Sequence, residues 1–533
     1  MCPADEGRFC PAGVRPTIRR VTTTLSLSPR RLAVLAATAL AIPIAGCGSS
    51  DSSSSGNTDP AKAVPASAPV YLEATVRPDG QQRTDLEAAL KKILNTDDPG
   101  AKIRELIDKQ AAKGGGGSYE QDIDPWLGDK AAVAITSLSG ESQAVVIVNS
   151  TDDSKAEDSL AKEHDYSEKR SYEGTDYRYD PSDKSAATVT KGFAVIGDEA
   201  AVKQVIDVLD KGGDALASNV DLQAAREKVG GQPGFMFVEM QNLLRSAIGS
   251  AGSTLGPQEL STIDNLFKRF RALGVGIGAD AQAIRMNLTS IGEGSGAGNG
   301  PGSSLPLDKA PGDSWLAFTQ SDVGQSIQGV LDSMKDSSTS DQITQLETAT
   351  GLNLKEDLLS WMGDAAFFVE GDSVPSLGGG LVVQSTDPEK TRTAITKIKR
   401  LFSTFGGGKL GPAPAGASAG FSMDLGNGAR KPLLVGLADS RFVIAYGAKA
   451  FHDATNPSST LSSNAAFQGA QGLLGSSAKP SFFVDWSTVV RFLTLAGAGD
   501  PSFQQAKPYL DAFTAIIGGG SGDRKAEVAI GLK

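Results

Sequence analysis

From about residue 65 onward the chain is written in short runs of alternating or β-branched apolar positions. Val70–Val76 (VYLEATV), Ala131–Ser137 (AAVAITS), Ala144–Ser150 (AVVIVNS), Gly174–Asp180 (GTDYRYD), Ala186–Thr190 (AATVT), Gly192–Gly197 (GFAVIG), Gly234–Met240 (GFMFVEM), Leu273–Ala279 (LGVGIGA) and Ala283–Thr289 (AIRMNLT) are each bounded by Gly, Asp or Lys-Gly. That is the pattern of half-buried strands. Neighbouring runs such as AATVT and GFAVIG leave room only for tight turns, which favours antiparallel pairing. A different period follows Asp198, where Val202, Val205, Ile206 and Leu209 fall at i, i+3, i+4 and i+7. This predicts a helix with Asp198 as N-cap and Gly212-Gly213 as its stop. Ser150–Asp152 and Ser385–Asp387 stand where a strand gives way to a helix, and Pro388 suits a first turn. Antiparallel strands with a few interspersed helices predict an α+β fold.

The strand pattern occurs twice. PWLGDKAAVAI (Pro125–Ile135) is echoed by SWMGDAAFFVE (Ser360–Glu370), and one offset places Trp126, Gly128, Asp129, Val148, Ser150, Thr151, Asp152, Lys155 and Lys162 on Trp361, Gly363, Asp364, Val383, Ser385, Thr386, Asp387, Lys390 and Lys397. SNVDLQAA at Ser218 matches SNAAFQGA at Ser463, and PGFMFVEM at Pro233 matches PSFFVDWS at Pro480. An internal duplication accounts for this. The sequence thus predicts two homologous repeats, residues 65–290 and 307–533, joined by a Gly/Ser-rich linker over 291–306. Each is expected to be a curved antiparallel sheet with helices packed on one face. The repeated Trp reads as a core plug, and the repeated Ser, Thr and Asp as helix caps. The second copy departs most at RFVIAYGAKAFHDATNP, where the helix that follows GDEAAV is expected to be lost.

With 533 residues the chain exceeds what one hydrophobic core supports, which agrees with two bodies. Its N-terminus changes the picture further. Arg30 and Arg31 precede the 13-residue apolar run Leu32–Ile44, followed by Ala45, Gly46 and Cys47. A basic flank, a short apolar stretch and small residues describe a secretory signal over residues 1–46, and the run is short for a membrane span. Residues 1–20 fit no signal flank, so translation starting further in, near Val21, is the natural expectation. Arg30-Arg31 raises twin-arginine export beside the general route. Ile44–Cys47 resembles the lipobox of bacterial lipoproteins, which implies acylation of Cys47 and cleavage before it. Residues 47–64, rich in Ser and Gly, then form a tether. Loss of residues 1–46 removes six Arg and two acidic residues, leaving 45 basic against 60 acidic side chains, a net charge of −15. Such a body is repelled by nucleic acid, so attachment to the membrane is expected through the N-terminal lipid, on the outer face of the cell membrane. Cys2 and Cys10 leave with the signal, so no disulfide is expected.

WLGDKAAVAI, AVVIVNSTDDSKAEDSLAK, YEGTDYRY and KGFAVIGDEAAVKQVIDVLDKGG followed by SNVDLQAA resemble an uncharacterised bacterial family, domain of unknown function 3352. The resemblance implies exported or lipid-anchored surface proteins without assigned catalytic residues. The residues agree. His164 and His452 occupy non-corresponding places, and Asp122 and Asp124 lack the spacing of a calcium loop, so no metal is expected. Ser159-x-x-Lys162 has no companion motifs and meets Ala394 in the second copy; the glycines around Ser295 follow no strand. No cofactor motif occurs. Tyr172, Tyr177, Arg178 and Tyr179, in HDYSEKRSYEGTDYRYD, form a candidate binding surface, since Tyr with Arg suits recognition, although alternation at Tyr177 and Tyr179 equally suits one packed face of a strand. The expected function is a non-enzymatic, membrane-anchored envelope lipoprotein that binds or scaffolds an envelope protein, cell-wall or lipid ligand. The alternative is a carrier of an apolar small molecule or lipid in a sheet-lined cavity.

Overall fold

The computed structural model describes residues 58–113, 117–138, 142–162, 166–243, 270–293, 303–333, 338–405, 409–426, 430–497, 499–522 and 524–533. The expected signal segment, Cys47, His164 and Ser295 lie outside the described residues. In the first half the strands are β1 (Val70–Thr75), β2 (Leu127–Ser137), β3 (Gln143–Ser150), β4 (Glu168–Tyr172), β5 (Thr175–Asp180), β6 (Ser185–Thr190), β7 (Phe193–Asp198), β8 (Gly234–Glu239), β9 (Ala272–Ala279) and β10 (Ala283–Ile291). Its helices are α1 (Gly80–Leu94), α2 (Pro99–Lys113), α3 (Asp153–Lys162), α4 (Glu199–Lys211) and α5 (Val220–Val229). The second half supplies β11 (Ser314–Gln320), β12 (Met362–Glu370), β13 (Gly378–Ser385), β14 (Lys409–Gly411), β15 (Ala419–Asp424), β16 (Leu433–Ala438), β17 (Arg441–Tyr446), β18 (Lys479–Asp485), β19 (Phe513–Gly522) and β20 (Lys525–Leu532). Between them run α6 (Val323–Ser333), α7 (Ser338–Thr350), α8 (Pro388–Phe405), α9 (Ala448–Thr455), α10 (Ala465–Gln471), α11 (Trp486–Gly497) and α12 (Pro501–Leu510).

The architecture is α+β, and the strand pairings are antiparallel throughout. From one edge the order is β4-β5-β6-β7-β3-β2-β1-β8-β9-β10, continuing as β20-β19-β18-β11-β12-β13-β17-β16-β15-β14. Strand β10 pairs with β20 from Ala283↔Gly531 to Thr289↔Lys525. Two separate sheets were expected. One 20-stranded sheet is found, because the last strand of each half presents its free edge to the other.

Helices cover both faces of this sheet, not one. The reason is visible in β3, whose QAVVIVNS is apolar at successive positions, as a strand buried on both sides must be. Val145 and Ile147 join a core with Val202, Val205 and Ile206 of α4 and Leu222 and Ala225 of α5. Val146 and Val148 join another with Trp126 and Ala156 of α3. The second half repeats this: Phe368, Val443, Phe467 and Phe483 form one core, and Trp361, Val383, Ile395 and Phe421 form one on the opposite side.

Helix α4 ends as expected at Gly212, in the left-handed region at φ 65°. Asp198, however, makes no side-chain cap bond; its carboxylate accepts from the Ala144 N–H of β3 at 2.8 Å. Asp387 does cap α8, accepting from Glu389 N and Lys390 N at 3.1 Å each. The helix expected to be missing from the second half exists as α9, with eight residues before Asn456-Pro457. Its buried Phe451 and Ala454 supply an apolar face that the flanking sequence obscured. The folded body begins before residue 65: Ala61, Ala63 and Val64 are fully buried, and Arg226 holds Asp59 in two contacts of 2.7 and 3.1 Å.

Candidate apolar binding face

Because side chains directly opposite one another across paired strands share a face, the register traces a single transverse row. It runs Met286, Val528, Gly518, Phe482, Phe318, Phe367, Leu381 and Ile444 over eight consecutive strands. In its middle Phe318, Phe367 and Leu381 are 41, 40 and 36% exposed. The first half writes an equivalent row, Leu288, Val275, Met236, Leu72, Val133, Val146 and Ile196. There the residues are less exposed: Val146 and Val275 are buried, the other five are half-buried, and Val133 packs against the same core as Ile107 of α2. The same face is more covered in one half and more open, with larger side chains, in the other.

The open row leads into a pocket of about 320 Å³ where the halves meet, lined by Leu288, Phe482, Gly518, Gly520, Ala526 and Val528. Gly518 keeps the floor low, since a Cβ there would stand 3.0 Å from Val528 Cγ2 and 3.7 Å from Phe482 Cδ1. At the other end Ile444 packs against the core that includes Ala394 and Ile395 of α8, a helix that lies on β15 and β16. Helix α6 carries Val323, Ile327 and Val330 on one stripe; Val323 docks on this core, while Ile327 and Val330 are exposed. Over β11, Trp315 meets Phe492 of α11 at 5.7 Å between ring centroids, and Leu493 and Leu495 beyond it are exposed.

The tyrosines singled out in the sequence fall in the first half and turn inward. Tyr177 and Tyr179 are buried, because alternate residues of β5 face α4. Tyr177 donates to Glu199 at 2.6 Å, and the guanidinium of Arg170 lies 3.4 Å from the centre of the Tyr179 ring. Tyr172 is half-buried and donates to Asp207 at 3.1 Å. Arg178, between the two buried rings, is half-buried and paired across the strands with Lys169 and Ala187. These rings brace β4 and β5 against α4 rather than forming an open patch.

Other polar candidates are likewise occupied. Lys162 and Asp122 pair with each other, and Asp124 binds Arg77 at 2.8 Å. Among the described residues, Asp313, Glu370 and Asp453 bring three carboxylates within 4.8 Å of one another. Lys449 Nζ stands among them, at 2.8, 3.1 and 2.6 Å respectively, and His452 Nδ1 lies 3.2 Å from Asp453. The chain's own ammonium therefore fills the place a cation would take. Burial raises the Glu370 carboxyl, against the pull of Lys449. For Asp453 burial acts in the same sense, but the Lys449 and His452 contacts outweigh it and hold the carboxyl below its ordinary value.

The open row was not singled out in the sequence, because SWLAFTQ and DAAFFVE are ordinary strand patterns in which nothing marks the Phe residues as uncovered. The fold is thus an extended α+β sheet with one apolar stretch laid open. The chain belongs to the DUF3352 family, a family of unknown function whose model matches residues 31–517. No curated protein matches it. Among solved structures, crystal forms III, IV and I of TP0453 match with TM-scores of 0.26, 0.25 and 0.26 and identities of 11, 12 and 11%. These matches cover 45, 44 and 47% of this chain and 82, 81 and 82% of the other, and a likeness at that level carries no argument about function.

Proposed function

We propose that this protein is a non-enzymatic envelope lipoprotein, anchored through acylated Cys47 to the outer face of the membrane, that carries an apolar chain on the open sheet face of its second half. The exposed run Phe318, Phe367 and Leu381 is the observation that supports the carrier reading. Large apolar side chains left contiguous on a soluble surface mark an interaction site, and a groove with few polar groups suits an aliphatic chain. Two homologous repeats belong to the same reading. They are supported by the shared strand order and by the matching rows, and they explain why one face exists in a more covered and a more open version.

The test uses the full chain with Cys47→Ser, exported in a bacterium and compared by native and denaturing mass spectrometry. The expected result is an added small mass that is lost on denaturation and is absent from the Phe318→Asp/Phe367→Asp variant. A bare wild-type-like chain overturns the carrier reading. Fractionation of the same cells tests the anchor: Cys47→Ser should move the protein from the membrane to the soluble fraction, and unchanged attachment overturns that part.

A further inference from the structure

Resting on the carrier reading, we infer that the chain bound on the open face belongs to an anionic amphiphile, whose headgroup is held by α8. This helix is an exception in an acidic protein. It carries Lys390, Arg392, Lys397, Lys399 and Arg400 against Glu389 alone, whereas its counterpart α3 carries Lys155 and Lys162 against Asp153, Glu157 and Asp158. Part of that charge is already committed: Lys397 binds Asp357 at 2.6 Å, and Arg392 pairs with Glu389. Lys390 and Lys399 are exposed.

The position of α8 connects this charge to the row. Ile398 of α8 and Ile444 of β17 pack on the same core, and Ile444 is the direct cross-strand partner of Leu381, where the row opens. The basic helix, lying on β16 and β15, therefore stands two strands beyond Leu381 on the same face of the sheet. From Phe482 to Leu381 the row crosses three strand spacings, roughly 14 Å at about 4.8 Å each, a length suited to one aliphatic chain. Phe402, 37% exposed and 6.2 Å from Phe421 between ring centroids, adds apolar surface near the end of the same helix. An apolar track that ends at a cationic helix is complementary to a molecule with a long tail and a negative head. The first half lacks both features: no residue of its row is more than half-exposed, and its helix is not basic.

Two probes with the same tail separate the headgroup from the chain. The full chain with Cys47→Ser is titrated calorimetrically with dodecyl phosphate and with dodecylphosphocholine, each below its micelle concentration. The inference expects dodecyl phosphate to bind about tenfold tighter, with an advantage that shrinks as salt is added. In the Lys390→Glu/Lys399→Glu variant, dodecyl phosphate should fall to the affinity of dodecylphosphocholine, which itself stays unchanged. Equal affinities in the parent chain overturn the anionic headgroup, and a preference that survives the double substitution overturns its placement on α8; either result leaves the carrier reading standing. No binding of either probe overturns the carrier reading itself. Binding to anionic vesicles without binding of monomeric dodecyl phosphate overturns the single-molecule occupant in favour of docking on a membrane surface.

Discussion

Phe318 of β11 and Phe367 of β12 face each other directly across paired strands, and both stand about two-fifths exposed. The next residue along β12, Phe368, points to the opposite face and is 1% exposed. Adjacent phenylalanines thus serve different ends. Phe368→Ala should cost about 3–5 kcal/mol, the range for a core phenylalanine. Phe367→Ser should cost under about 1.5 kcal/mol, because much of its ring already meets water. Urea unfolding midpoints decide. A large loss at Phe367 would mean that its ring is structural and that the row is not an open surface.

The repeated Trp-Gly-Asp phrase makes a different kind of prediction. In each half the indole N–H of the Trp donates to the carbonyl four residues earlier, Trp126 to Asp122 O at 2.5 Å and Trp361 to Asp357 O at 2.7 Å. The same two Asp side chains bind Lys162 and Lys397, and the Trp carbonyls accept from Thr151 N and Thr386 N at 2.8 and 2.9 Å. The phrase locks the entry to β2 and β12. Trp361→Phe should cost about 1–3 kcal/mol by leaving Asp357 O without its donor. It should leave the native mass-spectrometric adduct intact. Loss of the adduct at wild-type stability would show that the Trp serves the ligand instead.

Those contacts explain what could be read without coordinates. The Trp, the capping Asp152 and Asp387, the helix over Val202–Leu209 and the strand runs are local patterns, set by neighbours within a turn or across one hairpin, whereas the expected cap at Ser150 does not form, its Oγ being buried without a partner. Joining of β10 to β20 was not legible, because it pairs residues more than 230 positions apart and any exposed edge strand reads alike. Coverage was not legible either. Leu72 and Phe318 occupy corresponding apolar positions, yet one is half-buried and the other exposed, a difference set by the surrounding packing and not by the strand pattern. Tyr177 and Tyr179 illustrate the same gap: their alternation permitted packing or display, and the fold chose packing.

The N-terminal arm should be sensitive to acid. Burial acts to raise the Asp59 carboxyl, but hydrogen bonding and charge from Arg226, with the Ala61 N–H, outweigh it and hold the carboxyl below its ordinary value of 3.8. A folded value below the unfolded one gives stability that is present above the ordinary value and is lost as pH falls through the lowered one. Asp59→Asn should therefore be less stable than the parent at neutral pH, and the gap should close as the pH drops below about 4. Thermal melting of both chains across that range measures it. A gap independent of pH would show that the Asp59 charge contributes nothing.

Lys449 supplies the sharpest pH test, because its removal reverses the sign at Asp453 and adds to the rise at Glu370. With the ammonium present, it satisfies Asp313, Glu370 and Asp453 together, although Glu370 is almost fully buried. Lys449→Met removes the cation and leaves three carboxylates within 4.8 Å, two of them buried. Breaking a buried ion pair from one side costs about 3–5 kcal/mol, so a loss of that order is expected at neutral pH. Without the lysine, burial and mutual repulsion raise the folded carboxyl values above the unfolded ones. The variant then takes up protons on folding, so its deficit should shrink as pH falls toward the carboxylate range. A divalent cation offers a second rescue, since the emptied trio presents an oxygen cluster of the kind hard cations bind. Melting curves of Lys449→Met with pH and calcium varied separately read both effects. A deficit unmoved by either would mean that the lysine acts through packing of its aliphatic stem, and the charge balance assigned to this cluster would be wrong.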